Sequence, residues 1–368
     1  MQKDQPTLIP CAVLEQFMDA ALQKIGVPTK DAKICADVTL SASKRGIDSH
    51  GIERFKTFYY DRVISGIQQA KTAIEVIRET PTTAVIDGHN GMGQVIATTA
   101  MNLAIKKAKK YGMGMVVVKN STHYGIAAHY TELAIKENLI GITGTNTRPA
   151  IAPTYGVENM LGTNPLAIGM PTDEVFPLIF DSATSLAQRG KIEKYARRNE
   201  KIPEGWVIND QGKIVTDPKI ALQGLNNGTC ALTPIGGAGT EYGGHKGYGL
   251  SLMVEVLSAA LQQGAFLKAL SGVSNGKAVP FRIGHFFLAI DINAFVEPEK
   301  FKKTTGDILR TLRASKKVPG HKRIYTPFEI EYETELQRGK EGIPVYEKTL
   351  QELLSIQKEQ GLTEFDLS

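Results

Sequence analysis

The chain has 368 residues, of which 42% are hydrophobic and 22% are charged, values typical of a folded globular protein. This composition excludes fibrous and disordered classes. The formal net charge of +5 is spread along the chain in short clusters, so no basic stripe indicates a nucleic-acid partner.

Three cysteines, Cys11, Cys35 and Cys230, have no CxxC spacing and no local histidines. They predict reduced thiols in a cytoplasmic protein and no metal site. The first residues lack the apolar stretch of a signal peptide, and the longest apolar run, 249–262, contains Glu255 and is too short to span a bilayer. We therefore expect neither targeting nor membrane insertion.

Helical periodicity dominates the first seventy residues. Apolar residues recur at helical spacing in 13–22, 30–46 and 52–66. Gly26 is a plausible end of the first helix, and Thr29 is the predicted N-cap of the second.

From residue 72 onward the pattern changes to β-branched runs that alternate with helical ones. The predicted strands are 82–87, 115–120, 140–146, 164–170 and 175–181, and the predicted helices are 93–111 and 126–138.

The second half begins with a region rich in glycine, proline and charge, 186–245, for which we predict loops over a site. A helix at about 246–263 follows. The apolar run 281–292 predicts a strand pair with a strand buried on both faces, and the chain from Lys300 predicts helices and turns. Together these patterns predict a mixed α/β (α+β) fold.

The first candidate site is 49–55. If Ser49 caps a helix that begins near Gly51, its hydroxyl accepts a backbone N–H and the segment needs no further role. His50 and Arg54 are four residues apart, so a helix would place both on one face. Imidazole can pass a proton to a carbonyl oxygen and guanidinium matches a carboxylate, so the pair fits a 2-oxo acid. A merely structural pair explains the spacing as well.

Two further polar stretches follow predicted strands. His123 lies in 120–125, where a strand ends before a helix, a position at which α/β proteins build sites. Arg148 and Thr163 lie in loops whose prolines restrict the backbone. A helix cap, a surface histidine and plain turns explain the same residues equally well.

The glycine-rich segment 235–250 runs into a predicted helix with Lys246 at its start. Backbone N–H groups of such a turn and of a helix N-terminus form a cradle for pyrophosphate. Neither 237–242 nor 91–96 completes GxGxxG, and GxxxxGK[ST] does not occur, which disfavours a standard Rossmann or P-loop protein. Paired acids for glycoside hydrolysis, HExxH and a GxSxG turn after a strand are also missing.

The chain resembles the type 2 malate/L-lactate dehydrogenases, a family that includes sulfolactate and ureidoglycolate dehydrogenases and piperideine-2-carboxylate and diketogulonate reductases. The resemblance covers most of the chain. It rests on six ordered motifs: SKRGIDSHGIERF (43–55), VKNSTHYGIAAHY (118–130), NMLGTNPLAIGMP (159–171), DSATSLAQRGKI (181–192), IPEGWVIND (202–210) and GGHKGYGLSLMVEVLSAAL (243–261).

The resemblance implies a homodimeric NAD(P)-dependent oxidoreductase whose cofactor domain is not a Rossmann fold. We expect 1–71 with 300–368 to form a helical dimerisation domain and 72–299 to form the cofactor-binding sheet domain. The chain departs from the family near the C-terminus, where the common Pro-Gly-Glu has His321 in place of Glu, so the family's cofactor contacts at that position are not carried over.

Site residues are carried over from the resemblance one by one. His50 and His123 match two histidines with acid–base or substrate-orienting roles, and Arg54 matches the carboxylate-binding arginine. Ser49 and Thr163, with Asp181, form an implied proton relay to His50. The implied cofactor contacts are Asp181, Ser182, Ala183, Gly236, Gly237, His245 and Lys246.

The expected reaction is hydride transfer between nicotinamide and C2 of a 2-hydroxy or 2-oxo acid. Arg148 could read a second acidic group, which favours malate/oxaloacetate. Alternatives are L-lactate, sulfolactate or ureidoglycolate dehydrogenation, reduction of a cyclic 2-imino acid, and a non-catalytic anion-binding sensor. NAD versus NADP, the identity of the acid–base histidine, stereochemistry and direction are open at the level of sequence.

Overall fold

A computed structural model describes residues 5–367 of the chain. Its helices are α1 (Cys11–Lys24), α2 (Thr29–Lys44), α3 (Asp61–Ile64), α4 (Gly93–Tyr111), α5 (Ala128–Ile135), α6 (Arg189–Arg198), α7 (Pro218–Asn227), α8 (Gly244–Ala259), α9 (Pro298–Ala314), α10 (Glu329–Glu341) and α11 (Glu347–Gln360). Its strands are β1 (Thr7–Ile9), β2 (Glu75–Glu79), β3 (Thr83–Asp87), β4 (Met113–Ser121), β5 (Leu139–Thr145), β6 (Leu166–Met170), β7 (Leu178–Ser182), β8 (Val207–Asn209), β9 (Cys230–Leu232), β10 (Val273–Ser274), β11 (Lys277–Ala278), β12 (Ile283–Asp291) and β13 (Ile343–Val345).

Seven strands form the main sheet, in the order β2-β3-β4-β12-β5-β6-β7. Within this sheet β3 and β4 are parallel, whereas every other neighbouring pair is antiparallel. The mixed α/β architecture expected from the sequence is therefore confirmed, with a central sheet that is mostly antiparallel.

The centre of the sheet is β12, which lies between β4 and β5. Its first five residues are all buried, which confirms the strand covered on both faces. Phe287 packs with α4 and α5 whereas Phe286 packs against α8, because successive side chains of a strand point to opposite faces. Helices thus cover both faces of the sheet. The expected strand pair near 281–292 is this single strand, preceded by the small β10–β11 hairpin.

The N-terminal and C-terminal segments meet, because β1 pairs with β13 in antiparallel register. Leu14 and Phe17 of α1 share one hydrophobic core with Leu353 and Ile356 of α11. The same core also takes in Met92, which lies just before α4. The division into 1–71 with 300–368 and 72–299 stays a prediction.

Most predicted elements are present, with a few corrections. The helix predicted at 93–111 is α4 itself, whereas α5 is shorter than the predicted 126–138. Thr29 is not an N-cap but the first residue of α2, and its hydroxyl donates to the Gln23 side chain at 2.9 Å. The strand β2, which the sequence did not predict, is an exposed edge strand.

The region 186–245 is more regular than predicted. It contains α6, α7 and the β8–β9 pair, and these elements share a small apolar core that includes Ile192, Ala221 and Leu232. The prediction of loops was wrong there. The helix α6 has few apolar residues and buries Ile192, so its sequence shows little helical periodicity. Within residues 5–367, no helix combines the length and apolar character needed to cross a membrane.

Candidate active site

The segment that follows α2 is irregular. Two single turns of 3-10 helix, Asp48–His50 and Ile52–Arg54, lead into a π-helical stretch, Phe55–Tyr60, before α3 begins. Such π segments recur at functional sites because they re-aim side chains that a regular α-helix would stack.

Gly51 separates the two turns, with φ −96° and ψ −138°. A Cβ at this position would lie 2.1 Å from Oγ of Ser43, so only glycine fits without a shift. Ser43 Oγ accepts the backbone N–H of Ile52 at 2.9 Å. The predicted capping role of Ser49 is therefore wrong, because Ser43, on the last turn of α2, supplies that acceptor instead.

His50 and Arg54 are close, but not in the way that was predicted. They lie in different turns rather than on one face of a continuous helix. Arg54 Nε donates to the carbonyl oxygen of Ser49 at 2.9 Å, which holds the guanidinium beside the histidine loop. Ser49 Oγ lies 3.0 Å from Nδ1 of His50. Ser49 therefore hydrogen-bonds to the ring at which the implied proton relay ends.

His123 faces His50 from the end of β4. The ring centroids are 5.6 Å apart and the ring planes differ by 28°. Thr122 fixes this loop, because its hydroxyl accepts the N–H of Gly93 and donates to the carbonyl of Gly91, at 2.9 and 2.8 Å. The structure thus brings together two histidines that are 73 positions apart in the sequence.

Two aromatic residues that the sequence reasoning did not assign to the site hold His123. The Tyr59 hydroxyl lies 2.7 Å from Nδ1 of His123, and the backbone N–H of Gly125 donates to the same nitrogen at 3.3 Å. The Phe58 ring meets the His123 ring edge-on at 5.1 Å. Because the Gly125 N–H is always a donor, it favours the tautomer in which the proton sits on Nε2.

Both histidines are neutral at pH 7 in the free protein. Burial, and then the positive charge of Arg54, lower the pKa of His50 to about 4. Burial also lowers the pKa of His123 well below its usual value, with His50, Arg62 and Arg54 contributing in that order. Desolvation and nearby cations both disfavour an imidazolium, so an anion bound here would raise both pKa values.

In the part of the chain that the structure describes, three arginines near this pair have no carboxylate oxygen within 4 Å. Among residues 5–367 the arginines in ion pairs with carboxylates are Arg45, Arg189, Arg310, Arg313, Arg323 and Arg338. Arg54, Arg62 and Arg148 are not in that set. Arg62, which the sequence reasoning missed, offered no signal beyond its place eight residues after Arg54. Uncompensated positive charge in a partly enclosed site favours an anionic ligand.

Thr163 lies beside the Arg148 loop. Its backbone N–H donates to the hydroxyl of Thr147 at 2.9 Å, and its carbonyl accepts the N–H of Thr184 at 2.8 Å. These bonds join the loop after β5 to the segment after β7. The positions of Arg148 and Thr163 therefore depend on each other.

Asp181, near the end of β7, accepts the N–H of Ala128 at 2.7 Å and so caps the N-terminus of α5. Burial raises its pKa to about 6. Ser182 donates to the carbonyl of Ala183 at 2.8 Å. In the part of the chain that the structure describes, no hydrogen bond joins Ser49 to Thr163 or Asp181, so the implied relay has no direct path here.

The glycine-rich turn packs directly on the first turn of α8. Gly236 has φ +90°, and a Cβ there would lie 2.5 Å from the carbonyl carbon of Gly243. Beside it, Gly237 has φ +88° and faces open space. The N-cap of α8 is Gly243, which has no side chain to accept the first N–H groups of the helix.

His245 and Lys246 are exposed on that first turn. Together with Gly236 and Gly243 they line a surface pocket of about 440 Å³. A basic side chain, open glycine backbone and a helix N-terminus are the features that bind phosphate oxygens. These residues fit the pyrophosphate of a dinucleotide.

The other histidines lie apart from this pair. His285 is fully buried in the sheet, whereas His89 is exposed and bonds to Glu75. Burial lowers the pKa of His129 to about 4. Within the described range, 5–367, no cluster of three or more His, Cys, Asp or Glu residues is arranged to bind a metal ion.

Comparison with known proteins identifies close relatives. A family model described as malate/L-lactate dehydrogenase matches residues 9–354. A malate dehydrogenase of Pyrococcus horikoshii is 45% identical over 354 residues, which cover 96% of each chain. An L-sulfolactate dehydrogenase of Methanocaldococcus jannaschii is 40% identical and covers 93% of this chain and 94% of its own. The crystal structure of malate dehydrogenase from Entamoeba histolytica matches with a TM-score of 0.94 at 45% identity, covering 97% of this chain and 99% of its own.

Proposed function

The chain belongs to the malate/L-lactate dehydrogenase family, and from that membership we propose that it is an NAD(P)-dependent dehydrogenase that interconverts malate and oxaloacetate. The observation that carries the proposal is the stacked pair of His50 and His123 beside Arg54, which has no ion-pair partner among residues 5–367. A proton-transfer group next to a guanidinium without a carboxylate partner suits a 2-hydroxy acid. Relatives named malate dehydrogenase support malate as the substrate.

A nicotinamide dinucleotide, when bound, would exchange a hydride with C2 of the substrate. The residues that would hold it are Gly236, Gly237, His245 and Lys246 at the start of α8, and Asp181, Ser182 and Ala183 at the end of β7. The open face of Gly237 supports this, because a close approach of phosphate needs backbone without a side chain. The mostly antiparallel sheet supports a cofactor domain other than a Rossmann fold, whose sheet is parallel.

His50 is the residue that we propose to exchange the substrate proton. Ser49 Oγ, its Nδ1 partner, can accept as well as donate, so Nε2 is free to carry either a lone pair or a proton. Burial and Arg54 hold the pKa of His50 at about 4, so the free enzyme presents a neutral base suited to hydroxyl oxidation. In the reduction direction, a carboxylate on Arg54 would cancel part of that charge and raise the pKa of His50, which allows proton donation.

His123 would orient the reacting oxygen. Its Nδ1 is occupied by Tyr59 and Gly125, which leaves an Nε2–H that can donate to a carbonyl oxygen and stabilise developing negative charge. Burial and the positive charges of Arg62 and Arg54 lower its pKa, so this ring is also neutral in the free enzyme. Thr163 and Arg148 would complete the substrate pocket from the opposite loop.

We also propose a homodimer of cytoplasmic chains, with 1–71 and 300–368 forming the helical dimerisation domain. Exposed apolar residues on α9, such as Ile308 and Leu312, at 55% and 52% exposure, support burial against a second copy. Light scattering on the purified protein would measure the assembly, and a monomer at micromolar concentration would contradict the dimer.

A substrate and cofactor panel tests the proposed activity. The near-UV absorbance of NADH or NADPH is followed with oxaloacetate, pyruvate, sulfopyruvate and a cyclic 2-imino acid. We expect oxaloacetate to be reduced with the highest kcat/KM. Faster turnover of sulfopyruvate or the imine would reassign the substrate, and no turnover with either cofactor would favour an anion-binding sensor.

A further inference from the structure

We propose that Arg62, together with Arg148, binds the second acidic group of the substrate, so that the site selects 2-oxo acids bearing a second carboxylate or a sulfonate. This inference rests on the proposed function and names the substrate class within it. Arg62 lies on α3, eight residues after Arg54.

Two aromatic rings hold the guanidinium of Arg62. Its central carbon lies 4.3 Å from the centroid of Phe58 and 4.4 Å from that of Phe281. Neither contact uses the N–H donors of the guanidinium, so these donors can bind an oxyanion. Phe58 also meets His123 edge-on, so the same ring contacts both the Arg62 guanidinium and that histidine.

Phe281 packs closely against the base of the β10–β11 hairpin. Gly272 at this base has φ +73°, and a Cβ there would lie 2.4 Å from the Phe281 ring. The N–H of Val279 donates to the carbonyl of Gly272 at 2.9 Å, which closes the hairpin base. The hairpin thus supports the Phe281 ring that contacts Arg62.

Charge around Arg62 is uncompensated. Arg45, a buried arginine elsewhere in the chain, has Glu132 at 2.7 Å, whereas within residues 5–367 Arg62 has no carboxylate within 4 Å. Burial is the main cause that lowers the pKa of Arg62 to about 10, and the positive charge of Arg148 acts in the same direction. An anion bound by both guanidinium groups would offset their positive charge.

Arg54 and Arg62 both contact the Phe58 ring, with their central guanidinium carbons 5.2 and 4.3 Å from its centroid. The same ring meets His123 edge-on. An acid whose C1 carboxylate sits on Arg54, beside the histidine pair, would therefore bring its far end toward Arg62. A monocarboxylate has nothing to place there.

The test compares a dianionic with a monoanionic substrate. We expect Arg62→Gln to raise KM for oxaloacetate by about 10- to 100-fold and to change kcat/KM for pyruvate by less than about threefold. Arg62→Lys keeps the charge without the fork and should fall between wild type and Arg62→Gln. The matched control is Arg78→Gln, an exposed arginine on β2, which should change neither substrate.

A second readout does not depend on turnover. Malate should raise the Tm of the wild-type protein more than lactate does at equal concentration, and Arg62→Gln should abolish that difference while leaving the ligand-free Tm unchanged.

Three outcomes would overturn the inference. If Arg62→Gln lowers kcat/KM equally for oxaloacetate and pyruvate, Arg62 contacts a group that both substrates share. If both Arg62 variants also have a lower ligand-free Tm, the role of Arg62 is structural. If the preference for oxaloacetate over pyruvate is unchanged, Arg62 does not contact the second acidic group. If wild type reduces no 2-oxo acid, the proposed function fails, while the malate and lactate Tm shifts still decide whether Arg62 reads the second acid.

Discussion

The histidine at the centre of the sheet and the two histidines of the cleft, His50 and His123, have different hydrogen-bond partners. In β12, His285 is fully buried, and both ring nitrogens have hydroxyl partners at 2.8 Å, Thr145 at Nδ1 and Ser121 at Nε2. It also stacks on Tyr124, with ring centroids 4.4 Å apart. In the cleft, His50 and His123 each have hydrogen bonds at Nδ1 and, among residues 5–367, none at Nε2.

This contrast separates pKa from function. Burial lowers the pKa of His285 to about 3, and it lowers the pKa values of the two cleft histidines as well. A shifted pKa alone therefore does not mark a catalytic residue in this protein. What differs is that the cleft histidines keep a free nitrogen, partial solvent access and unpaired arginines beside them.

Replacing His50 should give the largest effect on catalysis. For His50→Asn we expect kcat for oxaloacetate reduction to fall by about 10²- to 10⁴-fold, since the proton-transfer group is lost, with Tm nearly unchanged. Steady-state kinetics and thermal unfolding measure both. His89→Asn, at an exposed histidine, is the control and should keep wild-type kcat. Near-normal kcat in His50→Asn would move the proton transfer to another residue.

Arg54→Lys should act on binding more than on chemistry. Lysine keeps the charge but loses the planar fork, so we expect KM to rise by about 10- to 100-fold for oxaloacetate and pyruvate alike. This shared loss contrasts with the loss on oxaloacetate alone that is expected for Arg62. An unchanged KM would show that the C1 carboxylate binds elsewhere.

His285→Phe should show the opposite profile from His50→Asn. Phenylalanine can keep the stack on Tyr124 but leaves the hydroxyls of Thr145 and Ser121 without their ring partner, so we expect a loss of about 1–3 kcal/mol in the free energy of unfolding. Urea unfolding measures this loss. The kcat of the folded variant should stay within about threefold of wild type. A large fall in kcat would mean that His285 contributes to catalysis as well as to stability.

The same variant should change the pH dependence of stability. In wild type, His285 stays neutral in the folded state down to about pH 3, whereas in the unfolded state it takes up a proton below about pH 6.5. Its contribution is therefore full above pH 6.5 and is lost as the pH falls toward 3, by up to about 1.4 kcal/mol per pH unit. Urea unfolding at pH 8 and pH 5 should show the stability gap between wild type and His285→Phe narrowing at pH 5. A constant gap would contradict the pKa shift.

The smallest expected effect concerns the entry to the cleft. Ser43→Ala removes the acceptor of the Ile52 N–H and should cost about 1 kcal/mol in the free energy of unfolding, whereas Ser49→Ala should cost less because Ser49 does not cap the turn. Thermal unfolding of both variants ranks them. A greater loss in Ser49→Ala would restore the original capping assignment.

The sequence predicted regular elements best where periodicity was strong. The strand β12 and the helix α4 were predictable without tertiary information. A strand buried on both faces has a continuous apolar run, and a helix buried on one face has apolar residues at helical spacing. The helix α6 was missed, since one buried residue, Ile192, gives little periodic signal. The helix expected to begin near Gly51 is a 3-10 turn and then a π-helical stretch, and Gly51, packed against Ser43, separates this turn from the one that holds His50.

For the site, local motifs indicated the chemical groups but not their arrangement. His50, Arg54 and His123 stood out by residue type and position, and the family resemblance supported their roles. Phe58, Tyr59 and Phe281 carried no such signal, because aromatic residues at those positions read as ordinary core.

The sequence by itself determined the mixed fold class, the family and the main candidate residues, because these depend on local periodicity and on ordered motifs. Only the tertiary structure decided that Tyr59 bonds to His123, that Ser43 caps the turn, and that Arg62 contacts two aromatic rings and, among residues 5–367, has no carboxylate within 4 Å. These features depend on contacts between distant segments and on the presence or absence of opposite charges around a side chain, neither of which spacing along the chain encodes.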